Sequence, residues 1–197
     1  AIAQLSTSAV TSLSSTQFGA LDASQVKALT TTQAQELGST QTVGLTVAQT
    51  PSLEGVDLAK LSSTALRAID DTSLASLTTG AVQYLSSEQF SVLTDNQVVA
   101  LTSNQISSMG TAQIAALGSN AIAAIETADL GGLSNNDMAA LRTAQVAGLT
   151  TGQIANLSTA QLTSLSSAAF GTLSTNQAVA LTTAQASALG TAQVVAL

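Results

Sequence analysis

LTTGQIAN at residues 149–156 is followed at once by LSTAQLTS at 157–164 and then by Leu165, and these two units set the rule for the rest of the chain. Each unit of eight opens on a leucine, places a hydroxyl beside it, a glutamine four residues after it, and a second apolar side chain directly after the glutamine. Lettering the positions a to h from the leucine puts Thr150 and Ser158 at b, Gln153 and Gln161 at e, and Ile154 and Leu162 at f. A hydroxyl three residues before a glutamine is the pattern of a helix capping box: the hydroxyl accepts from the third helical amide, and the glutamine reaches back to the cap amide. The apolar pair fits the accompanying hydrophobic staple, with a just ahead of the cap and f at the fourth helical position. Each unit therefore predicts a new helix start, with Thr150, Gln153, Ser158 and Gln161 as capping residues and Leu149, Leu157 and Leu165 as anchors.

The register extends in both directions without an insertion or deletion. From Leu5, Leu13 and Leu21 to Leu197 there are 25 consecutive apolar anchors, 22 of them leucine. Position b is Ser, Thr, Asp or Gly in 21 of 24 units, e is Gln in 15, and f is Val, Ile, Leu, Phe or Met in 19, so the pattern at 149–164 is that of the array. Fixed self-similarity at a short period marks a repeat architecture. One unbroken helix is ruled out, because eight residues advance about 800° and leave successive anchors about 80° apart around the axis. An isolated octad does not fold either: one buried leucine contributes about 1.5–3 kcal/mol, against about 1–2 kcal/mol of backbone entropy for each residue ordered. Neighbouring units must stack. The expectation is an all-α solenoid of very short helices, one per octad, running continuously over residues 1–197. The alternative is a β-solenoid, since Thr, Val and Ser tolerate strands. Against it, a and f differ by an odd number and would face opposite sides of a strand. The array starts part-way through an octad and stops on an anchor with no polar capping unit, which reads as a segment of a longer array or a unit that joins head to tail.

Composition excludes several functions. Charged residues make up only 8% of the 197, the net charge is −7, and the cations are Lys27, Lys60, Arg67 and Arg142. Nucleic-acid binding needs clustered cations to displace counterions, and four scattered ones do not provide that. The sequence holds no apolar run long enough to span a bilayer, so no membrane insertion is expected. Cysteine and histidine are absent, which removes disulfides, thiolate and imidazole metal sites, and histidine-dependent catalysis. No cofactor and no enzymatic activity are expected.

A longer repeat overlies the octad. Phe18, Phe90 and Phe170 mark three similar stretches 72 and 80 residues apart, or nine and ten octads, as duplication of octad blocks would leave them. Each phenylalanine is expected to fill a wide place in the core. Two units carry Glu at b with Asp at e: Glu54 with Asp57, and Glu126 with Asp129, again 72 residues apart. Like charges so placed repel, and an attracting Ca²⁺ is the functional reading of the four residues. The favourable helix dipole and inheritance by duplication account for the same acids without a metal. Asp70 is expected to be a cap and Asp71 its solvated neighbour. Pro51, the single proline, predicts a local irregularity in the unit TVAQTPSL.

Repeats reading LRTAQVAGL, LTTGQIANL and LSTAQLTSL resemble the LTxxQ arrays of very long bacterial surface or secreted proteins, many of them labelled adhesins or haem-utilisation proteins. The resemblance covers the whole chain and implies an extracellular or cell-surface fibre, filament or stalk that self-associates head to tail or laterally. A second implication is an adhesin-type module recognising a host protein, glycan or matrix ligand. No haem ligand set is offered, because Met109, Met138 and Tyr84 do not form one. LRTAQVAGL is also similar to the first helix of transcription-activator-like effector repeats, but that family's longer period and basic surface are both missing here.

Overall fold

The computed structural model describes residues 2–197. Among these are twenty-three α-helices of four to six residues, two 3-10 segments at Ile2–Gln4 and Thr50–Ser52, and no strand. The helical expectation holds and the β-solenoid alternative is overturned, because the caps at each b position start helices locally.

The corners explain how one octad follows another. Thr150, at φ −73° and ψ 158°, is extended and caps Thr151–Asn156, which ends on Leu157 at φ −61° and ψ 141°. Ser158, also extended at φ −63° and ψ 157°, then caps Thr159–Ser164. Two consecutive extended residues, a and b, thus separate helices of six residues and bend the chain at each anchor. No described residue has positive φ, glycine included. The corner is built from conformations open to any L-residue, so Ser, Thr, Asp, Gly and even Arg142 all serve at b.

Helices stack on the third helix along. Ser87–Val92 lies on Thr111–Ala116, Asp95–Ala100 on Ser119–Ala124, and Ser119–Ala124 on Thr143–Gly148. Three octads therefore complete one superhelical turn, and the solenoid has three sides with a corner at every anchor. The anchors and f residues of the three sides converge in a continuous core; Ile154, Leu162 and Phe170 are fully buried, as are Leu149, Leu157 and Leu165 to within a few percent. This stacking gives helices of one to two turns the tertiary burial that they need to persist.

Core size varies along the axis. Phe18, Phe90 and Phe170 are fully buried, as expected. One turn after Phe18, on the same side, the f position is Thr42, which is also buried and donates its hydroxyl to the Gly38 carbonyl at 3.2 Å. The backbones close up beside this large–small pair: a Cβ on Gly19 would lie 2.7 Å from the Gly44 carbonyl oxygen, and one on Gly44 would collide with the Ser15 carbonyl. Pro51 produces its irregularity as a single 3-10 turn in place of an α-helix, with Leu45 and Leu53 still buried on either side. The anchors of the first turn are less protected than predicted: Leu5 is exposed, and Leu13 and Leu21 are half-buried, because that turn has a neighbour on one side only.

Candidate functional site

The side chain at e has two jobs, of which the capping box is one. Thr150 donates its main-chain amide to Gln153 Oε1 at 2.8 Å, and the Gln153 amide donates to Thr150 Oγ1 at 3.1 Å. The same box joins Ser158 and Gln161, at 2.9 and 3.1 Å. The other half of each carboxamide points along the solenoid axis. Gln153 Nε2 donates to the carbonyls of Ile125, Ala123 and Ile122 at 2.8, 3.1 and 3.3 Å. Gln161 Nε2 reaches Leu133, Leu130 and Gly131 at 2.9, 3.0 and 3.2 Å. These carbonyls end the helix that forms the same corner one turn earlier. A single glutamine therefore caps the start of its own helix and the end of the helix beneath, and its buried amide is satisfied at both ends. Gln145 and Gln153 are almost wholly buried in this arrangement.

The axial bond left a trace in the sequence. A capping box accepts Glu or Gln equally, and the helix dipole prefers Glu. Position e contains no glutamate in any of its 24 units, which marks a need for the amide's N–H groups as well as its oxygen.

The glutamine ladder is interrupted twice over at least one full turn, at residues 57–81 and again at Ala121, Asp129 and Asp137. Residues 57, 65, 73 and 81 occupy e as Asp, Ala, Ser and Ala. Ser73 restores part of the link, donating its hydroxyl to the Leu45 carbonyl at 3.0 Å. Asp57 does not: its side chain is buried and its Oδ1 has no hydrogen-bond partner. Burial pushes the Asp57 carboxyl above its ordinary pKa, the Glu54 charge adds to this, and a hydrogen bond from Thr31 opposes it. Asp137, also at e, is better served. It accepts from the Ser134 amide and hydroxyl at 2.9 and 2.6 Å and from the Thr111 hydroxyl at 2.7 Å.

Both Glu–Asp pairs lie on one corner of the solenoid, three turns apart. Asp57 and Asp129 are buried at e, while Glu54 and Glu126 are exposed at b and make no side-chain cap. No group of three or more acids able to hold a metal occurs among the described residues. Asp70 caps its helix as predicted, accepting from the Thr72 and Ser73 amides at 3.1 Å each. Burial pushes its carboxyl up, but the hydrogen bonds from Ser73 and Thr72 together outweigh this and hold it below the ordinary aspartate range. Met109 and Met138 are buried in the core, and Tyr84 stands exposed on the surface.

A cavity of about 370 Å³ opens beside the break, lined by Lys27, Leu53, Glu54, Gly55, Thr78 and Ala81 among others. Asp57 and Ala81 are consecutive e positions on one corner, 24 residues and so one turn apart. No other corner has two successive e positions without glutamine between its first and last turns. The Tyr84 ring lies over Gly55 on its edge, where a Cβ would overlap it.

The ALTTAQ repeat family model matches residues 122–159. No curated protein matches the chain. The chain is thus a helical repeat protein, and none of its described helices is long and apolar enough to cross a membrane.

Proposed function

We propose that this chain is a structural element of the bacterial cell surface or extracellular space, a stalk or fibre segment that carries no catalysis of its own. One observation supports the reading above others: the same amide-to-carbonyl bonds recur from turn to turn over most of the array, and apolar burial continues the stack where they lapse, so the stack has no built-in length. A turn without a successor displays free corner carbonyls, and a turn without a predecessor displays free glutamine amides, as Gln17 and Gln25 do in their exposed positions. Further octads of one chain and the first turn of a second copy present the same surface to such a face. Head-to-tail growth follows from that equivalence. The weakly charged Ser/Thr flanks suit lateral packing of rods.

Electron microscopy of the purified chain, with its concentration varied, tests this. Regular filaments that lengthen with concentration and keep the three-octad repeat support the fibre reading. Discrete monomeric rods at all concentrations sink self-assembly and leave a stalk held together only within one chain.

A second reading, a binding module for a host protein, glycan or matrix component, draws on one feature. Lys27 and Glu54, far apart in the sequence, line one cavity, and the Tyr84 ring lies against Gly55, another of its lining residues.

A further inference from the structure

Ala81 stands at e, where most units carry glutamine, and the residues around it are those that a glutamine would bond. Gln105, one turn above on the same corner, shows the regular arrangement. Its Oε1 accepts from the Thr102 amide at 2.8 Å, and its Nε2 donates to the carbonyls of Leu77 and Ala75 at 2.8 and 3.1 Å. One turn of 24 residues earlier, the same positions are Thr78, Leu53 and Pro51. All three, with Ala81 itself, line the cavity of about 370 Å³. Thr78, at φ −67° and ψ 149°, keeps the extended conformation of Thr102, at φ −74° and ψ 157°, and Leu53 is extended as well. Among the described residues, the Thr78 N–H and the Leu53 and Pro51 carbonyls have no hydrogen-bond partner. One donor and two acceptors therefore border a space from which alanine withholds the outer atoms of a glutamine side chain.

We propose that this cavity binds a primary carboxamide, supplied by a small neutral amide or by a glutamine side chain of another polypeptide. The precedent is internal, because the same backbone positions hold a carboxamide at Gln105, Gln153 and Gln161. A primary amide brings a carbonyl oxygen for the Thr78 N–H and N–H groups for the two carbonyls; a ketone or a carboxylate lacks those donors. Such a ligand leaves the carbonyls unpaired, and the site discriminates against it for that reason. The exposed Lys27 and Glu54 among the lining residues mark the mouth of the cavity on the surface. The site does not depend on the assembly of copies, so it holds for a stalk as for a fibre.

Acetamide is the direct probe, because its heavy atoms are those that separate alanine from glutamine. Added to the isotopically labelled full chain, it should move the Thr78 amide proton downfield in nuclear magnetic resonance spectra, saturably and with a Kd of about 10⁻³–10⁻² M, as befits so few atoms. Acetone has the same shape without the N–H groups and should bind at least about tenfold more weakly. Ala81→Gln fills the cavity from within. It should keep or raise the melting temperature and abolish the acetamide response. Glutamine blocked as its N-acetyl N-methylamide separates the two sources: binding at least as tight as that of acetamide assigns the site to a polypeptide side chain, and weaker or absent binding assigns it to a free amide. No saturable shift at Thr78, equal binding of acetone, or a response that survives Ala81→Gln would each overturn the proposal.

Discussion

Residues 141–164 and 53–84 build the same three-sided stack with different means. In the first stretch Gln145, Gln153 and Gln161 make one complete turn of the ladder, each joined to the turn before it through at least two carbonyls. In the second, four successive units lack the glutamine, so no amide makes the axial link, and the Ser73 hydroxyl restores it in part. The core is nonetheless equally closed: Leu58, Leu66, Leu74 and Val82 are as buried as Val146, Ile154 and Leu162. Apolar burial at a and f is therefore sufficient to set the three-octad register, and the glutamines lock a register already chosen. The broken stretch also holds the one buried side-chain oxygen without a partner among the described residues, Asp57 Oδ1.

The largest expected effect comes from removing core on each side of the comparison. Leu66→Ala and Ile154→Ala each empty a fully buried site and should cost about 2–5 kcal/mol in denaturant unfolding. Native-state hydrogen exchange should show the Leu66 variant opening residues 53–84 as a unit, while the corner amides around Ile154 stay protected by their glutamines. Equal loss of protection in both would erase the distinction. Next is Gln153→Ala, which leaves the Thr150 amide and the carbonyls of Ile122, Ala123 and Ile125 unpaired and should destabilise by about 1–3 kcal/mol. The converse, Ala65→Gln, brings the ladder into the broken turn, where its amide would reach the Ala34 and Leu37 carbonyls. It should stabilise by about 0.5–1.5 kcal/mol, and a destabilised variant would show that the corner has adapted to alanine.

The smallest effects are those of pH. Asp57 has a raised folded-state pKa, so the folded chain binds more protons than the unfolded chain between the two values. Stability should therefore fall as pH rises from the ordinary aspartate range through the raised value, and Asp57→Asn should remove that slope. Asp70 works in the opposite direction. Its depressed pKa gives stability that is present above the ordinary aspartate range and lost as pH falls through the lowered value, a slope that Asp70→Asn should abolish.

Much of this was legible from sequence because it is local. Thr150 and Gln153 are three residues apart, and Leu149 and Ile154 lie within the same octad, so cap and staple chemistry names their roles before any tertiary contact is known. The three-octad turn was not legible: it depends on the angle made by two extended residues between helices and on stacking across 24 residues. The axial role of Gln153 was hidden for the same reason, although the absence of glutamate at e pointed to it. Asp57 stood out as a candidate by composition alone. What singles it out from Asp129 is a buried oxygen with no hydrogen-bond partner, and that is visible only once the turns are packed.

The turn length is best tested by disulfide trapping, because the chain has no cysteine of its own. A Cβ on Gly148 would lie 3.4 Å from the Cβ of Ser119, close to disulfide spacing, because the two helices stack one turn apart. Three pairs would be oxidised at high dilution and read by non-reducing electrophoresis and intact mass: Gly148→Cys with Ser119→Cys, with Thr127→Cys one octad nearer, and with Thr111→Cys one octad farther. Three octads per turn predicts a rapid intramolecular bridge in the first pair alone; bridging at 127 or 111 with none at 119 would contradict it.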